Sequence, residues 1–70
     1  MKVLLRNTHD GSFYSRPGVW TDNDIDAWDF EQTDRALDAV TALGLSAMEV
    51  LVRFENPFFE IPLKIVGVGQ

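Results

Sequence analysis

The sequence contains no cysteine, and this absence excludes two kinds of stabilising site. Disulfide frameworks and thiolate metal sites both need that side chain, and small secreted domains usually depend on one of them. Long apolar runs are also missing. Residues 1–7 hold three consecutive apolar side chains before Arg6, too few for a signal peptide, and no later run approaches a membrane span. We therefore predict a soluble cytoplasmic protein that does not contact a membrane.

Basic residues are scarce, since six Lys and Arg stand against eleven Asp and Glu, for a net charge of −5. Aromatic side chains on a sheet can stack on the bases of single-stranded nucleic acid. A phosphate-binding surface also needs a basic patch, however, and the basic residues here are scattered through an acidic chain. We therefore expect no nucleic-acid partner.

Catalytic motifs are missing as well. The five glycines form no phosphate-binding loop, and the serines stand in no nucleophile-elbow context. His9, the single histidine, precedes Asp10, a carboxylate that could orient it as a general base. Because no nucleophile is recognisable beside it, a solvated turn residue is the simpler interpretation. We predict a protein that is not an enzyme and has no cofactor, and keep His9 with its neighbouring acids as the enzymatic alternative.

What is present is enough apolar content for one small core. Seventy residues, 46% of them apolar, predict a single domain over residues 1–66 with a flexible tail at 67–70. A core of this size barely offsets the conformational entropy of the chain, so its stability should be modest.

Residues 33–45 form the clearest element, an amphipathic helix. Thr33 is predicted as its N-cap, and Gly44 supplies the left-handed residue that ends a helix, with Leu45 folding back on Val40 in a Schellman motif. The predicted buried stripe follows the three- and four-residue spacing of a helix and consists of Ala36, Leu37, Val40 and Leu43. A helix this short needs a sheet to cover that stripe.

The remaining chain indicates that sheet. Residues 2–7 and 12–15 predict a hairpin joined by a type I′ turn at Asp10–Gly11, and Pro17–Gly18 predicts a type II turn into extended chain at 19–20. A capped turn over 21–26 and an extended piece over 27–30 precede the helix. Alternating patterns over 48–54 and 58–65 predict two further strands. Because Pro62 cannot donate to a ladder, the second strand should lie at a sheet edge or pair irregularly.

The predicted fold class is α+β: a small antiparallel sheet of three to five strands, in the order ββ(β)αββ, with one helix packed on one face. The arrangement of aromatic and turn positions over residues 3–57 resembles that of short uncharacterised bacterial proteins of about this length. The shared pattern runs from the LLR segment and Gly11 through Trp20–Thr21 to the LGL helix end and Pro57. The resemblance implies a compact α+β fold in a bacterial cytoplasm and no functional residue.

Acidic residues concentrate between Asp22 and Asp38, where seven carboxylates accompany one base, Arg35. The run Asp22-Asn23-Asp24-Ile25-Asp26 is similar to the first half of a calcium-binding EF-hand loop. That loop requires Gly at its sixth position and Glu at its twelfth, where this chain has Ala27 and Thr33. We therefore predict no metal site and interpret the segment as a solvated acidic surface.

The aromatic residues exceed what one small core needs, so some should be exposed; Tyr14, Trp20, Trp28 and Phe58 are the candidates. The leading hypothesis is a non-enzymatic interaction module that binds an unknown protein, or its own copy in a homodimer. It would use an acidic, aromatic-bearing surface or an open sheet edge. The alternative is a small acidic regulator or inhibitor that mimics nucleic-acid charge to bind a basic protein. The predicted binding residues are Trp20, Asp22, Asp24, Asp26 and Trp28.

Overall fold

A computed structural model describes residues 1–65 of the chain, and the predicted tail at 67–70 lies outside them. Five strands form one antiparallel sheet in the order β3-β2-β1-β4-β5, and one helix packs on it, so the predicted α+β class is confirmed. The elements are β1 Lys2–Asn7, β2 Phe13–Arg16, β3 Val19–Thr21, a single 3₁₀ turn Asp24–Asp26, α1 Thr33–Leu43, β4 Met48–Glu55 and β5 Phe58–Lys64. Within residues 1–65, no helix is long and apolar enough to cross a membrane.

The centre of the sheet is the pairing of β1 with β4, which runs from Lys2↔Arg53 to Asn7↔Met48. Alternate residues of these strands face α1 and form the core with it, as the pleat of a sheet requires. The intervening Leu4 and Leu51 are also buried, on the opposite face. The two central strands are therefore buried on both faces, whereas the alternating pattern over 48–54 predicted a half-buried strand.

The helix buries a narrower stripe than predicted. Ala36 and Val40 are buried against the sheet, whereas Leu37 and Leu43 are 43% and 42% exposed. The prediction was wrong for these two leucines because α1 packs on β1 and β4, and a contact that narrow covers little more than one side of the helix.

The two ends of α1 differ in how well they were predicted. Gln32, not Thr33, is the N-cap and makes no side-chain cap bond; the left-handed Glu31 before it (φ 71°) turns the chain one residue earlier. The C-terminal end is the predicted Schellman motif. Gly44 has φ 63°, and Leu45 N–H donates to the Val40 carbonyl at 3.0 Å.

The connection from β1 to β2 spans the five residues 8–12, so the predicted hairpin is present but its type I′ turn is wrong. Gly11 has the positive φ (78°) and Asp10 does not. Gly11 N–H donates to the Asn7 carbonyl at 2.8 Å. The Asp10 carboxylate accepts hydrogen bonds from the Ser12 N–H at 2.9 Å and the Ser12 hydroxyl at 2.7 Å, which closes the wider loop. At the next turn, Gly18 has the positive φ (77°) that the predicted type II turn requires.

The extended piece predicted at 27–30 lies between β1 and β2, which pair at a single register position. Trp28 N–H donates to the Tyr14 carbonyl at 2.9 Å, and Phe30 N–H donates to the Val3 carbonyl at 2.8 Å. Val3 N–H in turn donates to the Asp29 carboxylate at 2.9 Å. The segment therefore satisfies backbone groups that the splayed strands leave open.

Candidate interaction surfaces

The acidic segment is tied to the far side of the sheet by Arg53, a β4 residue that is 9% exposed. Its Nη1 donates to Asp24 Oδ2 at 2.7 Å, and its Nε donates to Glu60 Oε2 at 2.6 Å. Burial by itself would lower the pKa of the Arg53 guanidinium, but the hydrogen bonds to Glu60 and Asp24 outweigh burial and raise that pKa above its usual value. Asp24, a predicted binding residue, is thus held in an internal ion pair.

Asp29 is a second carboxylate with an internal role. Besides Val3 N–H, its Oδ1 accepts the Glu31 N–H at 2.9 Å. One carboxylate therefore joins the start of β1 to the turn that leads into α1. Neither role was predicted, because an acidic residue in a polar segment carries no signal of a partner that lies distant along the chain.

The other predicted binding residues lie in different settings. Asp22 and Asp26 are exposed, and Trp28 is 57% exposed. Trp20 is half-buried and packs edge-on against Tyr14, with ring centroids 5.7 Å apart. The prediction that Tyr14 is a candidate contact residue was wrong, because it is 7% exposed between Trp20 and Phe30.

An open cleft of about 290 Å³ lies beside the exposed indole of Trp28. Its wall combines apolar and aromatic groups with one cationic residue, namely Tyr14, Ser15, Arg16, Pro17, Trp28 and Phe30. Trp28 is the predicted binding residue in this wall, which holds none of the predicted acidic residues, and an apolar anchor of a partner could enter the cleft.

His9 lies exposed in the turn after β1. The neighbouring Asp10 carboxylate accepts hydrogen bonds from the Ser12 hydroxyl and the Ser12 N–H. These bonds, the hydroxyl bond more than the N–H bond, lower the pKa of Asp10. The residues assigned to the enzymatic alternative are thus arranged as a turn cap. Within the described residues, no three His, Cys, Asp or Glu side chains converge to hold a metal ion.

A further apolar surface lies on edge strand β5, which we call the β5 surface and define as Phe59, Ile61 and Leu63. These side chains are 46%, 43% and 43% exposed. They pair with alternate β4 residues that face the core, so they lie on the same face of the sheet as α1. Within the described residues, α1 packs mainly on β1 and β4, and the β5 side chains on this face remain partly exposed.

Phe58 adds an exposed aromatic ring on the opposite face of the strand. It is 64% exposed, and the Arg53 guanidinium carbon lies 5.6 Å from its ring centroid. Phe58 was predicted as a candidate contact residue and Pro62 as the mark of a sheet edge or an irregular pairing, and β5 is one of the two edge strands. The exposed Phe59, Ile61 and Leu63 were missed because an alternating apolar pattern predicts a buried face.

Comparison with known proteins gives no match: no protein-family model, curated protein or solved structure is significantly similar to the chain. The surfaces described above are therefore interpreted from their own geometry and chemistry.

Proposed function

We propose that this protein is a small non-enzymatic interaction module of the bacterial cytoplasm that binds another protein chain through the β5 surface. One observation carries the proposal: three large apolar side chains on the core-forming face of an edge strand are each more than two-fifths exposed. Contiguous exposed apolar residues of this kind are typical of contact sites in soluble proteins.

The area involved is small but useful. The β5 surface exposes on the order of 250 Å² of mostly apolar area, which corresponds to about 6 kcal/mol of gross transfer free energy if a partner covers it. The free energy of unfolding of a 70-residue domain is of similar size. A partner that covers the β5 surface would therefore stabilise the folded chain by a comparable amount.

The charges near this surface support an apolar mode of binding. The two charged residues of β5, Glu60 and Lys64, alternate with the β5 surface and lie on the opposite face. Glu60 is already paired with Arg53. Binding at the β5 surface should therefore be insensitive to salt, because screening acts on exposed charges.

The test uses the double variant Ile61→Thr with Leu63→Thr, which removes apolar area but keeps residues that favour a strand. The matched control is Ile25→Thr, since Ile25 is 82% exposed on the 3₁₀ turn and undergoes the same chemical change. Immobilised chains are exposed to an extract of the source cells and to free copies of the chain, and captured proteins are quantified by mass spectrometry. We expect binding to fall for the double variant and to stay unchanged for Ile25→Thr; equal capture by all three chains would contradict the proposal.

A second candidate function is the acidic regulator that binds a basic protein. The observation favouring it is the 57% exposure of Trp28 beside an open cleft, in a segment that also exposes Asp22 and Asp26. Because complementary charge acts mainly on association rate, Asp22→Asn with Asp26→Asn should slow binding to a captured basic protein, most clearly at low salt. Asp24 is left intact in this variant because it pairs with Arg53. An association rate equal to wild type and indifferent to salt would reject this candidate.

A further inference from the structure

We propose that the chain that covers the β5 surface is a second copy of this protein, packed face to face about a two-fold axis. This inference rests on the proposed function and adds the identity and geometry of the partner. In such a dimer, Ile61 and Leu63 of one copy pack against the same residues of the other.

Charge is the first argument for a second copy. Each chain has a net charge of −5, so two copies repel wherever their acidic segments meet. Phe59, Ile61 and Leu63 carry no charge, and the nearby Glu60 is paired with Arg53. A two-fold axis brings identical patches together, and an uncharged apolar patch is complementary to itself. A basic partner would instead be attracted to the acidic segment.

Area is the second argument. Two β5 surfaces together bury on the order of 500 Å², about a third of a standard interface of roughly 1,600 Å². Interfaces combine an apolar core with a polar rim, and the two β5 surfaces would supply the apolar core of a small, weak interface. The rest of the contact would come from the polar surroundings of the strand.

The alternative way to join two edge strands is backbone pairing. Whether a second β5 strand can pair with this edge depends on the direction of the Pro62 nitrogen. In an antiparallel sheet, successive residues direct their backbone groups to opposite edges of the strand. Both groups of Val3 are bonded to residues 29–30, so Leu4 bonds with Leu51 of β4. The next β4 residues then direct their groups to β5 and bond with Ile61 and Leu63. Pro62, between them, faces the free edge.

Pro62 lacks the N–H that an added strand would need there. A two-fold pair of β5 strands centred on Ile61 would place each copy's Pro62 opposite Glu60 and would lose a ladder bond at both positions. Edge pairing thus loses hydrogen bonds near the middle of the strand, whereas the apolar side chains on the face beside it are partly exposed. This difference favours packing by faces.

Sedimentation equilibrium of the purified full chain tests the proposal, from about 1 µM to about 1 mM. We expect the mass to rise with concentration from the 7.9 kDa of one chain toward twice that value. Ile61→Thr with Leu63→Thr should weaken the self-association roughly tenfold or more, and Ile25→Thr should leave it unchanged. Circular dichroism of each variant confirms that it remains folded.

A further variant, Pro62→Thr, separates the two geometries. The substitution restores an N–H on the free edge of β5. If two copies join by edge pairing, the variant should self-associate more tightly than wild type. If they pack by faces, its self-association should equal that of wild type. A tenfold gain would overturn the face geometry, and equal dimerisation of the double variant would overturn the assigned surface.

A wild-type chain that stays at 7.9 kDa throughout would reject the homodimer. The proposed function has its own test in the capture experiment. It would be rejected if wild type and the double variant captured a different protein in equal amounts.

Discussion

The two edges of the sheet differ in whether their exposed side chains find partners within the chain. At the β3 edge, a three-residue strand leads into the acidic segment, whose Asp24 and Asp29 are bonded to Arg53 and to backbone N–H groups. At the β5 edge, a seven-residue strand exposes large apolar side chains on the face of the sheet that forms the core. A cluster of charged residues in a sequence therefore does not by itself identify the exposed surface of the fold. Part of the acidic segment stabilises the fold, while β5 keeps apolar side chains exposed.

The largest expected effect comes from removing Arg53, the residue that links the two edges. Arg53→Ala leaves Asp24 and Glu60 without their cation and removes packing from the outer face of the sheet. Because both carboxylates are partly exposed, we expect a loss of about 2 to 3 kcal/mol in the free energy of unfolding, measured by urea denaturation at pH 7.

The control for this prediction is Arg35→Ala, which breaks the exposed pair with Glu31. Pairs of this kind contribute little, and the expected loss is at most about 0.5 kcal/mol. Similar losses for the two variants would show that Arg53 does not hold the edges together.

A smaller effect separates the acids within the acidic segment. Asp24→Asn should lower the free energy of unfolding by about 1 kcal/mol, because it weakens a charge-assisted hydrogen bond to a buried guanidinium. Asp22→Asn with Asp26→Asn should leave the stability equal or slightly higher, since exposed like charges repel. Thermal melts of the two variants decide the matter, and an equal response would place all three carboxylates in one class.

The smallest expected effect lies away from both edges, in the turn capped by Asp10. Hydrogen bonds from Ser12 lower the pKa of Asp10 below its usual value, so the ionised form is favoured in the folded chain. The stabilising contribution is therefore complete above the unfolded pKa and is lost as pH falls through the lower folded value. Asp10→Asn should melt below wild type at pH 6, and the gap should close in acid. A difference in melting temperature that is constant with pH would contradict a stabilising role for the ionised Asp10 carboxylate.

Local chemistry was sufficient for several elements of the fold. Gly44 ends α1 as predicted because glycine adopts the left-handed conformation with little strain, and Gly18 supplies the positive φ of its turn for the same reason. Pro62 marks an edge strand because it has no N–H to donate. Each of these predictions depends on a property of one residue and its neighbours, which the sequence carries directly.

The choice of the Asp10–Gly11 turn shows where local signals stop. The dipeptide favours a type I′ turn, but the Asp10 carboxylate accepts hydrogen bonds from Ser12, and a five-residue connection results. Two local preferences compete there, the type I′ turn of Asp-Gly and the side-chain hydrogen bonds of Asp10, so the pattern predicts the hairpin and not its turn type.

The sequence by itself determined the α+β class, the approximate positions of the strands and helix, and the acidic character of the chain. Tertiary structure alone decided that β1 pairs with β4, that Arg53 binds Asp24 and Glu60, and that α1 leaves β5 uncovered. The physical reason is that periodicity reports which side of an element is apolar, whereas coverage depends on the width of the neighbouring element and on contacts between residues distant in the chain. The β5 surface exists because one short helix cannot cover a five-stranded sheet.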